Sequence, residues 1–141
     1  MNAKEYLSQV FIINKRINSK LQQVSSLKSL ALRVSSTFEK DKICKTRKQS
    51  PMEDAIVKII DLENEINTDI DELIDMKKNI AEEISLLTDE NSKMVLELRY
   101  VALMKWEEIA AATGYDLRWV YRIHKRAIKD FEKPLKATIS I

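Results

Sequence analysis

Apolar residues recur along the first 37 positions in steps of three and four. Leu7, Val10, Ile17, Leu21 and Val24 hold this rhythm, with Asn14 inside the stripe. That is the spacing of one helix face, and it predicts a long helix from residue 2 to about 37. The stripe then shifts to Leu27, Leu30 or Ala31, Val34 and Phe38, a break in heptad phase. Residues 39–50 have no period and read as a polar linker. Ser50-Pro51-Met52-Glu53 is a helix start, with serine as cap, proline at the first helical position and acids in the first turn. From 51 to about 88, Ile56, Ile59, Glu63, Ile66, Ile70, Leu73, Lys77, Ile80, Ile84 and Leu87 alternate by three and four. A stripe this regular is a coiled-coil seam, roughly 55 Å long at ~1.5 Å per residue. The simplest packing is an antiparallel helical hairpin of these two helices. A two-helix hairpin buries little, so it is expected to pack on the remaining chain or to self-associate.

Residues 89–141 change character. Thr88-Asp89-Glu90 starts a helix to about Ala102, with Met94, Val95, Leu98 and Val101 inward. A short helix opens at Trp106, and Ala110 to Ala112 would let a neighbour approach closely. Gly114, the only glycine, is placed for a turn with positive φ. Asp116 is placed to cap a further helix from Leu117 to about Glu132, which Pro134 is expected to end. That helix puts Val120, Ile123 and Ala127 inward and leaves a basic face outward. A short turn followed by a basic helix is the arrangement that enters the DNA major groove.

Composition supports long helices: 141 residues contain one glycine and two prolines. The one cysteine, Cys44, allows no internal disulfide and has no neighbours at metal-ligand spacing. No apolar run approaches a membrane span and no export signal is visible, so a cytoplasmic, nucleoid-associated protein with no membrane partner is expected. The net charge of +2 conceals three blocks. Residues 1–50 carry 11 Lys/Arg against 3 Asp/Glu, residues 51–88 carry 3 against 11, and residues 89–141 carry 10 against 8. Opposite signs on the two long helices favour their pairing and set its direction. Each surface pair adds only ~0–1 kcal/mol, so burial of the seam must dominate.

Arg118, Tyr121, Arg122 and Lys125 are the base-reading or groove-facing candidates, since arginine can pair bidentately with guanine. Lys105, Arg126 and Lys129 suit phosphate contacts. Leu117 and Trp119 could touch a thymine methyl or pack on a neighbouring helix, and Tyr115 could meet backbone phosphate. The bland alternative is a solvated basic face. His124 has no partner for metal or triad chemistry and is expected to face solvent or phosphate. Tyr100 and Trp106 read as core. Glu107 and Glu108 favour a helix N-terminus. The acids Asp61, Glu65, Asp69, Asp71, Glu72 and Asp75 read as a solvated or hairpin-pairing face. Lys45, Arg47 and Lys48 suit phosphate or a solvated loop equally. No Gly-rich phosphate loop, nucleophile–base pair or metal constellation is visible, so no enzyme, cofactor or metal is expected.

Val95-Leu96-Glu97-Leu98-Arg99-Tyr100, Trp106-Glu107-Glu108-Ile109-Ala110 and Gly114 to Ile123 resemble region 4 of bacterial sigma-70-type factors. The match covers about a third of the chain. Met1 to Leu7, Thr46 to Ala55 and Leu98-Arg99-Tyr100 resemble the ArpU/RinA-like late transcription regulators of phages and prophages. These resemblances imply an all-α protein: a coiled-coil-like hairpin over 1–88, then a sigma region 4-like helix-turn-helix domain over 89–141. They imply a sequence-specific activator of late phage genes that binds double-stranded promoter DNA and works with host RNA polymerase. Under the sigma resemblance, Glu108 would instead touch polymerase. A homodimer through the helical region would present two modules to half-sites. The rival expectations are a small-terminase-like packaging protein and a polymerase adaptor that reads no DNA.

Overall fold

The computed structural model describes the backbone of residues 1–40 and 51–139, and the side chains of residues 1–33 and 51–133. The chain is all-helical among the described residues. Its five helices are α1 (Ala3–Lys40), α2 (Pro51–Ile84), α3 (Glu90–Tyr100), α4 (Trp106–Thr113) and α5 (Leu117–Ile139). The Ser50 cap, most of the expected linker, the Lys45, Arg47 and Lys48 site, and the Val34 and Phe38 side chains lie outside the described residues. Glu39 and Lys40, expected in the linker, belong to α1.

The chain forms two compact units. One comprises Met1–Ile13 and Leu73–Ile141, and the other Asn14–Glu72. In the second, ion pairs run in antiparallel order along α1 and α2. Arg16 meets Asp69 and Glu72, Lys20 meets Asp69 at 2.7 Å and Glu65, and Lys28 meets Glu63. Ile17, Val24 and Ala31 are the buried positions of α1 here, and Leu21 and Leu30 are exposed. On α2 the buried stripe runs through Ala55, Ile66 and Asp69, with Ile59 and Leu62 half-buried. The expected seam through Ile56, Glu63 and Ile70 is therefore turned by one position, and those three residues are exposed. Two causes act together. The apolar face of α2 is wide, so periodicity alone does not choose its edge. Arg16 and Lys20 also draw the Asp69 carboxylate inward, and its bond raises the Lys20 ammonium above its ordinary value.

The first unit gathers the start of α1 and the end of α2 with α3, α4 and α5. Ala3, Leu7, Val10, Ile80 and Ile84 are fully buried. The Tyr6 hydroxyl donates to Glu83 at 2.8 Å, and the Tyr6 ring stacks on Phe131. α2 ends at Ile84, earlier than the expected residue 88. There the amides of Leu86 and Leu87 turn back to the carbonyls of Glu83 and Ile84 in a tighter turn. α3 is buried on two sides. Val95 faces Ile109, Val120 and Ile123, while Leu96 and Tyr100 are buried as well. Tyr100 meets the Phe11 ring edge-on. Met94 and Val101, expected inward, are half-buried. α3 stops at Tyr100, two residues before the expected end, because the Glu97 and Leu98 carbonyls accept from Val101, Ala102 and Met104. Leu103 takes a left-handed φ of 56° in that turn.

Gly114 closes α4 with φ 78°, and its amide donates to the Ala110 carbonyl. Asp116 caps α5 by accepting from the Trp119 amide at 2.7 Å. Of the three alanines, only Ala110 packs on the core; Ala111 and Ala112 are exposed. The α5 backbone stays helical through Pro134 to Ile139. Proline removes one amide donor but leaves the helical bonds on either side available, so one such loss does not stop this helix. A Cβ at position 114 would meet nothing within 4 Å. Gly114→Ala is thus expected to cost only the left-handed strain, about 1 kcal/mol, measured as a shift in denaturation midpoint. Gly114→Asn should cost less.

Candidate nucleic-acid interface

α5 presents two chemically distinct sides. Val120, Ile123, Ala127 and Phe131 are buried. Arg118, Tyr121, Arg122, Lys125 and Lys129 follow helical spacing on the other side, and all five are exposed. Leu117, Arg118, Tyr121, Arg122 and Lys125 together line a shallow concavity of about 450 Å³. These five candidates are thereby brought onto one surface. The basic groups project outward because helix geometry leaves them no other direction once the apolar side is packed.

The remaining candidates are placed differently. Trp119 and Arg126 lie on the flank of this surface, both exposed. Arg126 sits close enough to Asp89 to help lower that carboxyl below its usual range, after the larger effect of the Ser92 hydroxyl bond. Part of the Arg126 charge is therefore already answered within the protein. Lys105 is exposed at the start of α4, where its amide donates to the Glu108 carboxylate. Glu108 thus caps its own helix. Tyr115 is half-buried, packs against the α3–α5 core, and donates its hydroxyl to Asn91.

An aromatic cluster supports the basic side from behind. Trp106 meets Tyr121 edge-on at 5.3 Å and His124 at 4.6 Å between ring centres. The Arg99 guanidinium lies over both the Trp106 ring at 4.4 Å and the Phe11 ring at 4.5 Å, and donates to the Met104 carbonyl. The sequence pattern gives Arg99 no structural role. Its sequence signal is only adjacency to Tyr100, because Phe11 lies far away along the chain and Trp106, seven residues on, belongs to the next helix. His124 departs from the expected solvent or phosphate-facing position. It is half-buried and shares a 2.7 Å hydrogen bond with the Tyr100 hydroxyl rather than facing solvent or phosphate. Burial, then the charges of Lys4 and Arg99, push its imidazole down to about 4. Burial also pushes the Tyr100 hydroxyl up to about 12, so it keeps its proton.

This gives a pH prediction with a definite sign. The folded imidazole binds its proton more weakly than the unfolded one, whose value is near 6.5. The unfolded state therefore gains protons first as pH falls. Stability is full above about 6.5 and drains away towards about 4. The loss should be about 2 kcal/mol, once screening by water that reaches part of the ring is included. Urea unfolding across this window measures it, and His124→Gln should flatten the dependence.

Among the described residues no group of three or more His, Cys, Asp or Glu side chains is placed to hold a metal ion. No described helix is long and apolar enough to cross a membrane. A family model described as "Protein of unknown function (DUF1492)" matches residues 32–132. No curated protein and no solved structure matches the chain.

Proposed function

The chain belongs to the DUF1492 family, and we propose that it is a sequence-specific DNA-binding transcriptional regulator. In this reading α4, the Gly114 turn and α5 form a helix-turn-helix resembling sigma region 4, while α1 and α2 form the helical hairpin. The observation that carries the reading is the outward side of α5. Four basic residues and Tyr121 stand exposed on a helix whose opposite side is locked into the core. Such a helix can enter the major groove without disturbing the packing that holds it. Arg118 and Arg122 are one turn apart and can read guanine edges, while Lys125 and Lys129 meet phosphate. Tyr121, steadied by Trp106, extends the contact.

The resemblance to late phage regulators supports activation of late genes together with host RNA polymerase. The test is binding of the purified protein to DNA upstream of its operon, against unrelated DNA at equal salt. Preference of roughly 1000-fold or more is expected of a specific reader. Equal weak binding to both DNAs would reject direct promoter reading, because phosphate contacts alone give that result.

A further inference from the structure

The unit of residues 14–72 has two sides flanking its buried seam. On one, Ser19, Gln22, Gln23, Ser26 and Leu27 of α1 meet Lys58, Asp61, Leu62 and Glu65 of α2 around an open groove. The Lys28–Glu63 pair marks the opposite side. Helical spacing of three, four or seven residues from that pair places Leu21, Leu32, Ile56, Ile60 and Ile70 on the same side. These aliphatic residues are 49%, 72%, 45%, 52% and 38% exposed, respectively. Five large aliphatic side chains thus share one side of two helices, around the Lys28–Glu63 pair, more than the singly scattered apolar residues ordinary for a surface.

Charge selects the occupant. Between residues 14 and 33, α1 carries five cations (Lys15, Arg16, Lys20, Lys28 and Arg33) and no acid. Between residues 51 and 72, α2 carries eight acids and one cation, Lys58. The charges on the stripe's own side are Lys28 of α1 and Glu63 of α2, so the partner that fits offers an acid over α1 and a base over α2. A second copy of this chain does so when turned by a two-fold axis parallel to the helices. Each α1 then lies over the partner's α2, antiparallel to it and at the register already set within the chain. Lys28 of one copy comes level with Glu63 of the other, and Leu32 with Ile56. Turning the axis across the helices would instead lay α1 on α1 and α2 on α2, like charge on like. We propose that this side is a self-association surface, closing two copies into an antiparallel four-helix bundle of alternating charge. The proposal does not depend on DNA reading.

The test uses the full chain in sedimentation velocity at about 10 µM, a concentration at which a moderately tight dimer is populated. Wild type should run as a dimer. Ile56→Lys with Ile70→Lys should raise the dimer dissociation constant roughly 100-fold or more, since two charges then enter the apolar seam. Unchanged helical circular dichroism is expected, because both positions are exposed within one chain. Geometry is read separately in a Cys44→Ser background. Leu32→Cys copies mixed with Ile56→Cys copies should cross-link, and Leu32→Cys copies alone should not. A wild-type monomer, a ring of more than two copies, a dimer that survives the double lysine variant, or cross-linking of Leu32→Cys to itself would each overturn the proposal. A DNA-binding defect with an intact dimer would fault the functional reading alone.

Discussion

Arg122→Ala should weaken binding to the preferred DNA by about 5- to 150-fold while leaving the fold intact. The range corresponds to the ~1–3 kcal/mol carried by one good bidentate base contact. Arg122 lies on the exposed side of α5 beside Arg118 and Lys125. Its truncation removes a donor fork and opens no cavity. The loss should fall on the preferred sequence and spare unrelated DNA, because base edges carry the information. Lys129→Ala is expected to behave differently. It should weaken all DNA about equally and lower the slope of log affinity against log salt by about 1, the signature of one lost phosphate contact. Titrations of both variants on both DNAs at several salt concentrations separate the two roles. Uniform loss with Arg122→Ala would reassign that residue to phosphate.

Ile109→Ala should destabilise the α3–α5 unit by about 2–4 kcal/mol. Ile109 is fully buried against Val95, Val120 and Ile123, with Leu98, Met104 and Trp106 around them. Truncation removes buried carbon and leaves a cavity whose walls belong to three different helices. They cannot all collapse into it, so the cost carries a cavity contribution on top of the lost burial. Thermal unfolding would show a midpoint lower by about 10 °C or more, since about 1 kcal/mol corresponds to roughly 4–8 °C in a domain of this size. Ala111→Ser, one turn face away and exposed, is the matched control and should move the midpoint little. DNA affinity of Ile109→Ala should recover towards wild type on cooling, as the folded fraction returns. Arg122→Ala should not recover in this way.

Local chemistry made much of this protein legible in its sequence. The α4–α5 turn is specified by neighbours: Gly114 tolerates positive φ and Asp116 caps the next amides. The inward side of α5 follows from period alone, because Val120, Ile123 and Ala127 recur at helical spacing. Once that side is buried, the basic side must face out, so Arg118, Arg122 and Lys125 were recoverable. Helix existence in α1 and α2 was likewise written in their three-four alternation.

Only the tertiary structure decided which edge of each long helix is covered. A wide apolar face on α2 offers two nearly equivalent seams. Side-chain pairs from α1 choose between them by drawing in Asp69 and leaving Ile56 and Ile70 outside. The placement of His124 needed contacts with Tyr100, twenty-four residues away, and with Trp106. Its polar character suggested water, but its neighbours made it part of a packed cluster. Arg99 is similar, since a cation between Phe11 and Trp106 has no signature within its own segment. Pro134 shows the reverse limit, because a local helix breaker was overridden by the helix around it. The sequence by itself determined helices, caps, the turn and the basic outward side, since each depends on interactions within a few residues. The choice of buried edge, the histidine's environment and the arginine sandwich depend on side chains distant in sequence, and only folding brings those together.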